Sequence, residues 1–176
     1  FAEAKIYIDI TSPEIKKPPI AIHELSGREG KQISDMIRED LDFTGIFLCL
    51  DRATFIEPSG HPFNPKNWSI IGAEAVLKGT VSGEKELMVS VSFYDVFEGR
   101  EVLKKEYKGS KNDIRNISHS VSNDLYKYIT GENGIFHTKV AFVSEDEGKK
   151  GLYVMDFDGA RIRRMGIRGD FVLTPH

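Results

Sequence analysis

Cysteine is nearly absent from this 176-residue sequence, in which Cys49 is the one thiol. A single cysteine forms no intrachain disulfide, so cysteine usage does not indicate a redox compartment. Cys49 lies between Leu48 and Leu50, a context that favours a small apolar packing residue over a reactive nucleophile. Net charge is low as well: a value of −3 argues against nucleic acid or an anionic membrane surface as an electrostatic partner.

Long apolar runs are also missing. The longest uninterrupted one is Ile46–Leu50, which is far too short to cross a bilayer, so no direct membrane insertion is expected. The sequence lacks a Gly-Lys-Ser/Thr phosphate loop, a dinucleotide-binding glycine fingerprint and a nucleophile elbow with its serine between glycines. We therefore expect no cofactor and no catalytic residues.

Histidine spacing predicts no metal site. His23–Glu24 begins like a zinc-protease motif, but Gly27 stands where the second histidine is needed. We therefore expect His23 on a polar or half-buried face of a strand. Three more histidines stand without a cysteine or carboxylate at ligand spacing. These are His61, His119 and His137.

The densest group of carboxylates is Asp35, Glu39, Asp40 and Asp42. On a helix, Asp35 and Glu39 stand four residues apart and away from the apolar stripe. A solvated helix face is therefore a better explanation of this group than a pair of catalytic carboxylates.

The first part of the chain alternates strand and helix patterns. Lys5–Ile10 has the period of two that is typical of a half-buried strand, and the prolines within Thr11–Pro19 then indicate an extended linker. Ile20–Leu25 predicts a second strand, and a helix follows from Gly27–Lys31 to Gly45. The apolar face of that helix consists of Ile33, Met36, Ile37 and Leu41.

A loop-rich region and three strands come next. Ile46–Leu50 predicts a short buried strand, and Glu57–Asn67, with three prolines and a glycine, predicts a long surface loop. Trp68–Gly72 predicts one helical turn, with Trp68 as a core or interface anchor. The three further predicted strands are Ala75–Val81, Leu87–Phe97 and Arg100–Lys108.

Ser110 and Asp113 have capping-box-like spacing, which predicts the start of a second helix, and Gly131 marks its end. Two helices with one apolar face each, beside strands that mostly alternate, predict a mixed β-sheet with both helices on one face. The fold class is thus α/β, of the α+β type. The apolar stripe of the second helix consists of Ile114, Ile117, Val121, Leu125 and Tyr128.

The last part of the chain, Ile135–His176, has the strand and turn order of a β-propeller blade. One blade cannot bury its own faces, so the pattern predicts a partial blade of a longer protein. The expected domains are residues 1–133, the amino-terminal α/β domain, and residues 134–176, a first and incomplete blade. The blade elements are the strands Thr138–Val143 and Leu152–Asp156, the polar turn Glu145–Lys150 and the tight turn Asp158–Gly159.

By elimination, these residues favour a binding module over an enzyme. Glu3–Ser12 is an amino-terminal strand, rich in β-branched residues and tethered by a proline linker. Such a strand either stays in its own sheet or adds to an edge on another protein. Phe1–Ala2 ahead of it fits the end of a signal-peptide cleavage site, with maturation at Glu3.

Several segments, in this order and spacing, resemble the amino-terminal part of the TolB family of periplasmic translocation proteins. The resemblance covers nearly the whole chain. It rests on Lys5–Asp9, Leu41–Phe47, Trp68–Val76, Asp95–Glu101, Leu125–Tyr126, Thr130–Gly131, Gly134–Lys139 and Tyr153–Gly159.

The resemblance implies a non-enzymatic adaptor of the Tol–Pal envelope system, exported to the periplasm with its signal peptide removed. That system maintains outer-membrane integrity and helps cell division, and some bacteriocins exploit it for entry. In the family, the extreme amino-terminal strand binds the inner-membrane protein TolA, and the propeller binds the peptidoglycan-associated lipoprotein Pal. The residues that the first role maps onto are Glu3, Ala4, Lys5, Ile6, Tyr7, Ile8, Asp9, Ile10, Thr11 and Ser12.

Two alternatives from other classes stay open. Similar blades occur beside the hydrolase domain of some serine peptidases, but this chain supplies no Ser-His-Asp motif for one. Small mixed sheets with two helices also recognise RNA, although a net charge of −3 and the lack of a basic–aromatic strand pattern argue against nucleic acid.

Overall fold

The computed structural model describes residues 17–146 and 149–166 of the chain, with only the backbone of Asp146 and Lys149. The described residues divide into two compact units, one ending at Gly134 and the other beginning at Ile135. The predicted strand Lys5–Ile10 lies outside the described residues.

The described part of the first unit, residues 17–134, contains five strands and three α-helices. The strands are β1 (Pro19–Ile22), β2 (Leu48–Cys49), β3 (Ala75–Ser82), β4 (Leu87–Asp95) and β5 (Arg100–Gly109). The helices are α1 (Gly30–Phe43), α2 (Pro65–Ile70) and α3 (Ile114–Thr130).

The five strands form one mixed sheet in the order β2-β1-β3-β4-β5. β1 pairs in parallel with both β2 and β3, whereas β3, β4 and β5 form an antiparallel meander. The predicted mixed α/β fold is thus confirmed. A register shift at Phe93/Tyr94 places a bulge in the β4–β5 ladder, with Val102 as the extra residue on β5.

One face of the sheet carries the main apolar core. Ile20, Ile22 and Leu77 are fully buried there. The register places Ile22, Leu77 and Phe93 in one row across the sheet, and the Phe93 ring meets Tyr128 of α3 with ring centroids 5.7 Å apart. The two long helices α1 and α3 pack against each other over this face.

The opposite face is only partly covered. Ala21 and Val76 point to this side, where they pack with Trp68 of α2 in a smaller core. Trp68 is fully buried, which confirms its predicted anchoring role. The predicted helical turn Trp68–Gly72 is part of a third helix, α2, which begins earlier than expected, at Pro65 within the predicted loop, and ends at Ile70. A proline at the first helical position and Asn64 as the cap explain this early start.

The helix ends follow the sequence signals. Gly45 and Gly131 both have positive φ, 66° and 78°, as expected for glycines that end helices. Ser110 and Asp113 form the predicted capping box, since Asp113 accepts from the Ser110 backbone N–H at 2.8 Å and from its hydroxyl at 2.7 Å. A short 3-10 turn, Lys111–Asp113, then leads into α3.

The residues described in the second unit form a three-stranded antiparallel sheet in the order β6-β7-β8. The predicted polar turn between the first two strands is shorter than expected, because pairing continues to Asp146 and resumes at Lys149. Gly159, with φ of 84°, supplies the tight turn after β7. The three strands are β6 (Lys139–Asp146), β7 (Lys149–Asp156) and β8 (Arg163–Arg164).

Candidate functional site

The predicted partner-binding segment, Glu3–Ser12, lies outside the described residues. The structure shows where the chain enters the sheet after it. Pro18 O accepts from Leu48 N at 3.1 Å, and Pro19 O accepts from Glu74 N at 2.9 Å. The chain thus joins the sheet as β1, which β2 and β3 flank on either side.

A buried polar cluster connects α1 with α3. The Asp40 carboxylate lies 2.8 Å from His119 Nδ1 and accepts from the Ser122 hydroxyl at 2.6 Å. The expectation of a solvated face is therefore wrong for Asp40, which is 3% exposed. Because α1 packs against α3 as well as the sheet, its buried stripe widens to include Asp40, three residues after Ile37.

This cluster combines an aspartate, a histidine and a serine, but it cannot act on a substrate. Asp40 and His119 are each 3% exposed, and Ser122 is fully buried. The Ser122 hydroxyl faces two acceptors, the Asp40 carboxylate and Ser118 O at 3.0 Å. With no access from solvent, the cluster satisfies buried polar groups and so stabilises the α1–α3 interface.

A second buried cluster lies on the opposite face of the sheet. Glu57 is paired with Lys78 of β3 in a salt bridge, and both side chains are nearly buried. The other carboxylate oxygen of Glu57 accepts from Asn64 N at 3.0 Å, and Lys78 Nζ donates to His61 O at 2.6 Å. These contacts fix the segment 57–64 over the sheet.

His23 belongs to the same cluster. It follows β1 directly, and it is 7% exposed instead of half-buried as expected, because Phe55 and Trp68 pack against its ring. Its Nε2 lies 2.9 Å from Glu57 O. A carbonyl only accepts, so Nε2 carries a proton and donates it to this hydrogen bond.

Between the segment 57–64 and strands β3 to β5 lies a groove of about 210 Å³. Its floor consists of side chains from the open face of the sheet, among them Thr80, Ser90 and Ser92. Its walls include His61 and Phe63 on one side and Lys104 on the other. We call it the open-face groove.

The cysteine and the described acidic groups show no sign of a reactive centre. Burial, with help from the neighbouring Asp42, raises the pKa of the Cys49 thiol to about 12, so it stays protonated and packs as an apolar residue.

Among the described residues, no group of three or more His, Cys, Asp or Glu side chains is placed to hold a metal ion. None of the helices in that part of the chain is long and apolar enough to cross a membrane.

The sequence did not reveal either buried cluster. Asp40 sits at helical spacing from Ile33 and Ile37, and this spacing was a signal that the carboxylate faces inward. Glu57 and Lys78 stand far apart in the chain, and only the fold brings them together.

A family model and the curated relatives of this chain all name the same family. The family model of the TolB amino-terminal domain matches residues 6–102. The Tol-Pal system protein TolB of Paramagnetospirillum magneticum is 33% identical over 190 aligned positions, which cover 99% of this chain and 42% of that protein. The protein of the same name from Syntrophotalea carbinolica is 32% identical over 154 positions, covering 82% of this chain and 35% of that protein.

The fold agrees with that of a solved structure. The crystal structure of TolB from Acinetobacter baumannii superposes with a TM-score of 0.77 at 22% identity, covering 85% of this chain and 38% of that one. The described residues thus form a mixed-sheet α/β unit followed by a small antiparallel sheet. The chain belongs to the TolB family, and it spans less than half the length of the curated relatives that it matches.

Proposed function

We propose that this chain is the amino-terminal part of a non-enzymatic periplasmic adaptor of the Tol–Pal system. The observation that carries this proposal is the match of the family model to residues 6–102, together with relatives named Tol-Pal system protein TolB. In this proposal the adaptor contributes to outer-membrane integrity and cell division, and bacteriocins use the same system for entry.

The proposed TolA-binding site is the leading strand, Glu3–Ser12. An extended segment that adds to a partner's sheet gains main-chain hydrogen bonds, each worth about 0.5–1.5 kcal/mol net. Ordering the backbone costs about 1–2 kcal/mol per residue if the segment starts free. These opposing terms are similar in size, so binding through this strand is reversible and adjustable.

The second unit supports a further part of the proposal. Its three antiparallel strands and tight turn suit the first blade of a β-propeller, with residues 134–176 as the incomplete blade and 1–133 as the preceding domain. Pal is then bound by propeller blades beyond this sequence.

Deleting Glu3–Ser12 tests the TolA contact. We expect the deletion to abolish binding to the carboxy-terminal domain of TolA in isothermal titration calorimetry, while the urea midpoint of the remaining chain changes little. The control is Lys108→Glu, a charge change at an exposed position of β5 outside the open-face groove, which should leave TolA affinity unchanged. Unchanged affinity after the deletion would refute the proposed site.

A further inference from the structure

The open-face groove follows alternate residues of β4, and at one end Phe63 stacks on Tyr94 with ring centroids 4.3 Å apart. Ser90, Ser92 and Tyr94 alternate along this strand and all line the groove. At about 3.4 Å per residue, they span about 14 Å, and consecutive members are about 7 Å apart. This spacing equals that of every second side chain in an extended peptide, whereas a compact ring-shaped ligand covers only part of it.

The floor of the groove offers hydroxyl groups that are not committed elsewhere. The register places Thr80 beside Ser90, and it places Ser92 between Lys78 and Lys104. Within the described part of the chain, the hydroxyls of Thr80, Ser90 and Ser92 have no side-chain hydrogen bond. Each is a donor and an acceptor for a ligand lying along β4.

The walls are fixed before any ligand arrives. The Glu57–Lys78 pair anchors the segment 57–64, and Ser59 Oγ donates to Glu24 O at 2.8 Å. Ser59 Oγ also lies 3.1 Å from Ser26 Oγ. A preformed groove avoids the entropic cost of ordering a loop on binding.

The charges differ across the groove. Lys78 is neutralised by Glu57, whereas Lys104, on the opposite wall, has no ion-pair partner among the residues that the structure describes. On the β1 side the groove is lined by the exposed Glu24. A ligand is therefore favoured if it carries a carboxylate near Lys104 and no second carboxylate near Glu24.

We propose that the open-face groove is a second protein-binding site, which takes an extended segment of a partner with one acidic side chain placed against Lys104 and Ser92. The hydroxyls of β3 and β4 bind the flanking polar groups of that segment. This site lies outside Glu3–Ser12, and it works independently of the proposed TolA contact.

The probe is the pentapeptide Ac-Thr-Ser-Glu-Ser-Thr-NH2, titrated into the full ¹⁵N-labelled chain and followed by amide chemical shifts. We expect shifts confined to Thr80, Ser90, Ser92 and Lys104 and their neighbours. Replacing the central glutamate by glutamine should weaken binding by about tenfold, because a charge-assisted hydrogen bond is lost. Shifts spread over the surface, or equal affinity for the glutamine peptide, would overturn the proposal.

Two variants and a sugar separate the specific site from general attraction. Lys104→Glu should lose binding by about tenfold or more. Lys108→Glu makes the same charge change on the same strand, and its side chain, paired with Met88, lies outside the groove lining, so binding should persist. Equal losses in both variants contradict the proposal. A separate titration uses sodium glucuronate. If it shifts the same amide signals as strongly as the peptide does, the groove binds acidic sugars instead of a protein segment.

Discussion

At the scale of single residues, Glu57 organises the open face of the sheet. Its carboxylate holds Lys78 and the backbone of Asn64, and its carbonyl accepts from His23. A carboxylate this deeply buried is tolerated because each of its oxygens has a partner. The ion pair therefore fixes the segment 57–64 beside the groove, and it adds little to the net stability of the fold.

Breaking the Glu57–Lys78 pair tests this view. We expect Lys78→Met to lower the free energy of unfolding by about 3–5 kcal/mol, because the Glu57 charge stays buried without its partner. The double variant Glu57→Gln/Lys78→Met should recover much of the loss, since glutamine still accepts from Asn64 N and no charge remains.

Urea unfolding of the wild type, both single variants and the double variant completes a double-mutant cycle. Additive losses, with no recovery in the double variant, would show that the two side chains act separately. If Lys78→Met lowers the free energy of unfolding by less than about 1 kcal/mol, the Glu57–Lys78 pair behaves like a solvent-exposed one.

At the scale of elements, the start of α3 depends on a charged cap. Two hydrogen bonds from Ser110, from its hydroxyl and its backbone N–H, hold the pKa of Asp113 below its usual range. A carboxyl group with a lowered native pKa stabilises the fold while it is ionised. Its contribution is present above its unfolded pKa of about 3.9 and is lost as the pH falls through the lower native value.

Asp113→Asn should therefore lower the urea midpoint at pH 7, and the difference from the wild type should shrink as the pH falls below about 3.9. Ser110→Ala removes the hydroxyl that donates to this carboxylate, so the stability that it costs should shrink over the same pH range. A difference for Asp113→Asn that stays constant between pH 7 and pH 3 would rule out the charged cap.

The edge strand β5 shows how an exposed element avoids unwanted pairing. It ends the sheet, and its exposed positions include Lys104, Lys105 and Lys108. The bulge at Val102 interrupts its ladder with β4. Lysines and a bulge are the features by which natural edge strands discourage pairing with other chains.

The same elements show what the sequence could and could not predict. Alternating apolar and polar residues predicted strand β4, and Gly131 predicted the end of α3. Both patterns are formed by residues close together in the sequence. Helix α2 was missed at its start, since Pro65 suggests a loop as readily as a first helical turn. The partners in the Asp40 and Glu57 clusters meet only after folding, so no local pattern predicted those contacts, although the helical spacing of Asp40 indicated that its side chain faces inward.

At the scale of the whole molecule, the described residues form a mixed-sheet unit followed by a small sheet with three described strands. Membership of the TolB family connects these units to the Tol–Pal system. The described clusters are buried and structural, and the described surface offers a preformed groove. Following the proposed function, we infer that the protein works by contact with partners and that backbone hydrogen bonds of Glu3–Ser12 make the main contact.

The most direct test of that inference uses peptides of Glu3–Ser12 with the TolA carboxy-terminal domain. In an edge-bound strand, only alternate backbone N–H groups face the partner. N-methylation of Ile6, Ile8 and Ile10 in one peptide, and of Lys5, Tyr7 and Asp9 in another, should therefore give unequal results: one set abolishes binding measured by calorimetry, and the other retains most of it. Equal affinities for both methylated peptides and the unmodified one would contradict the account.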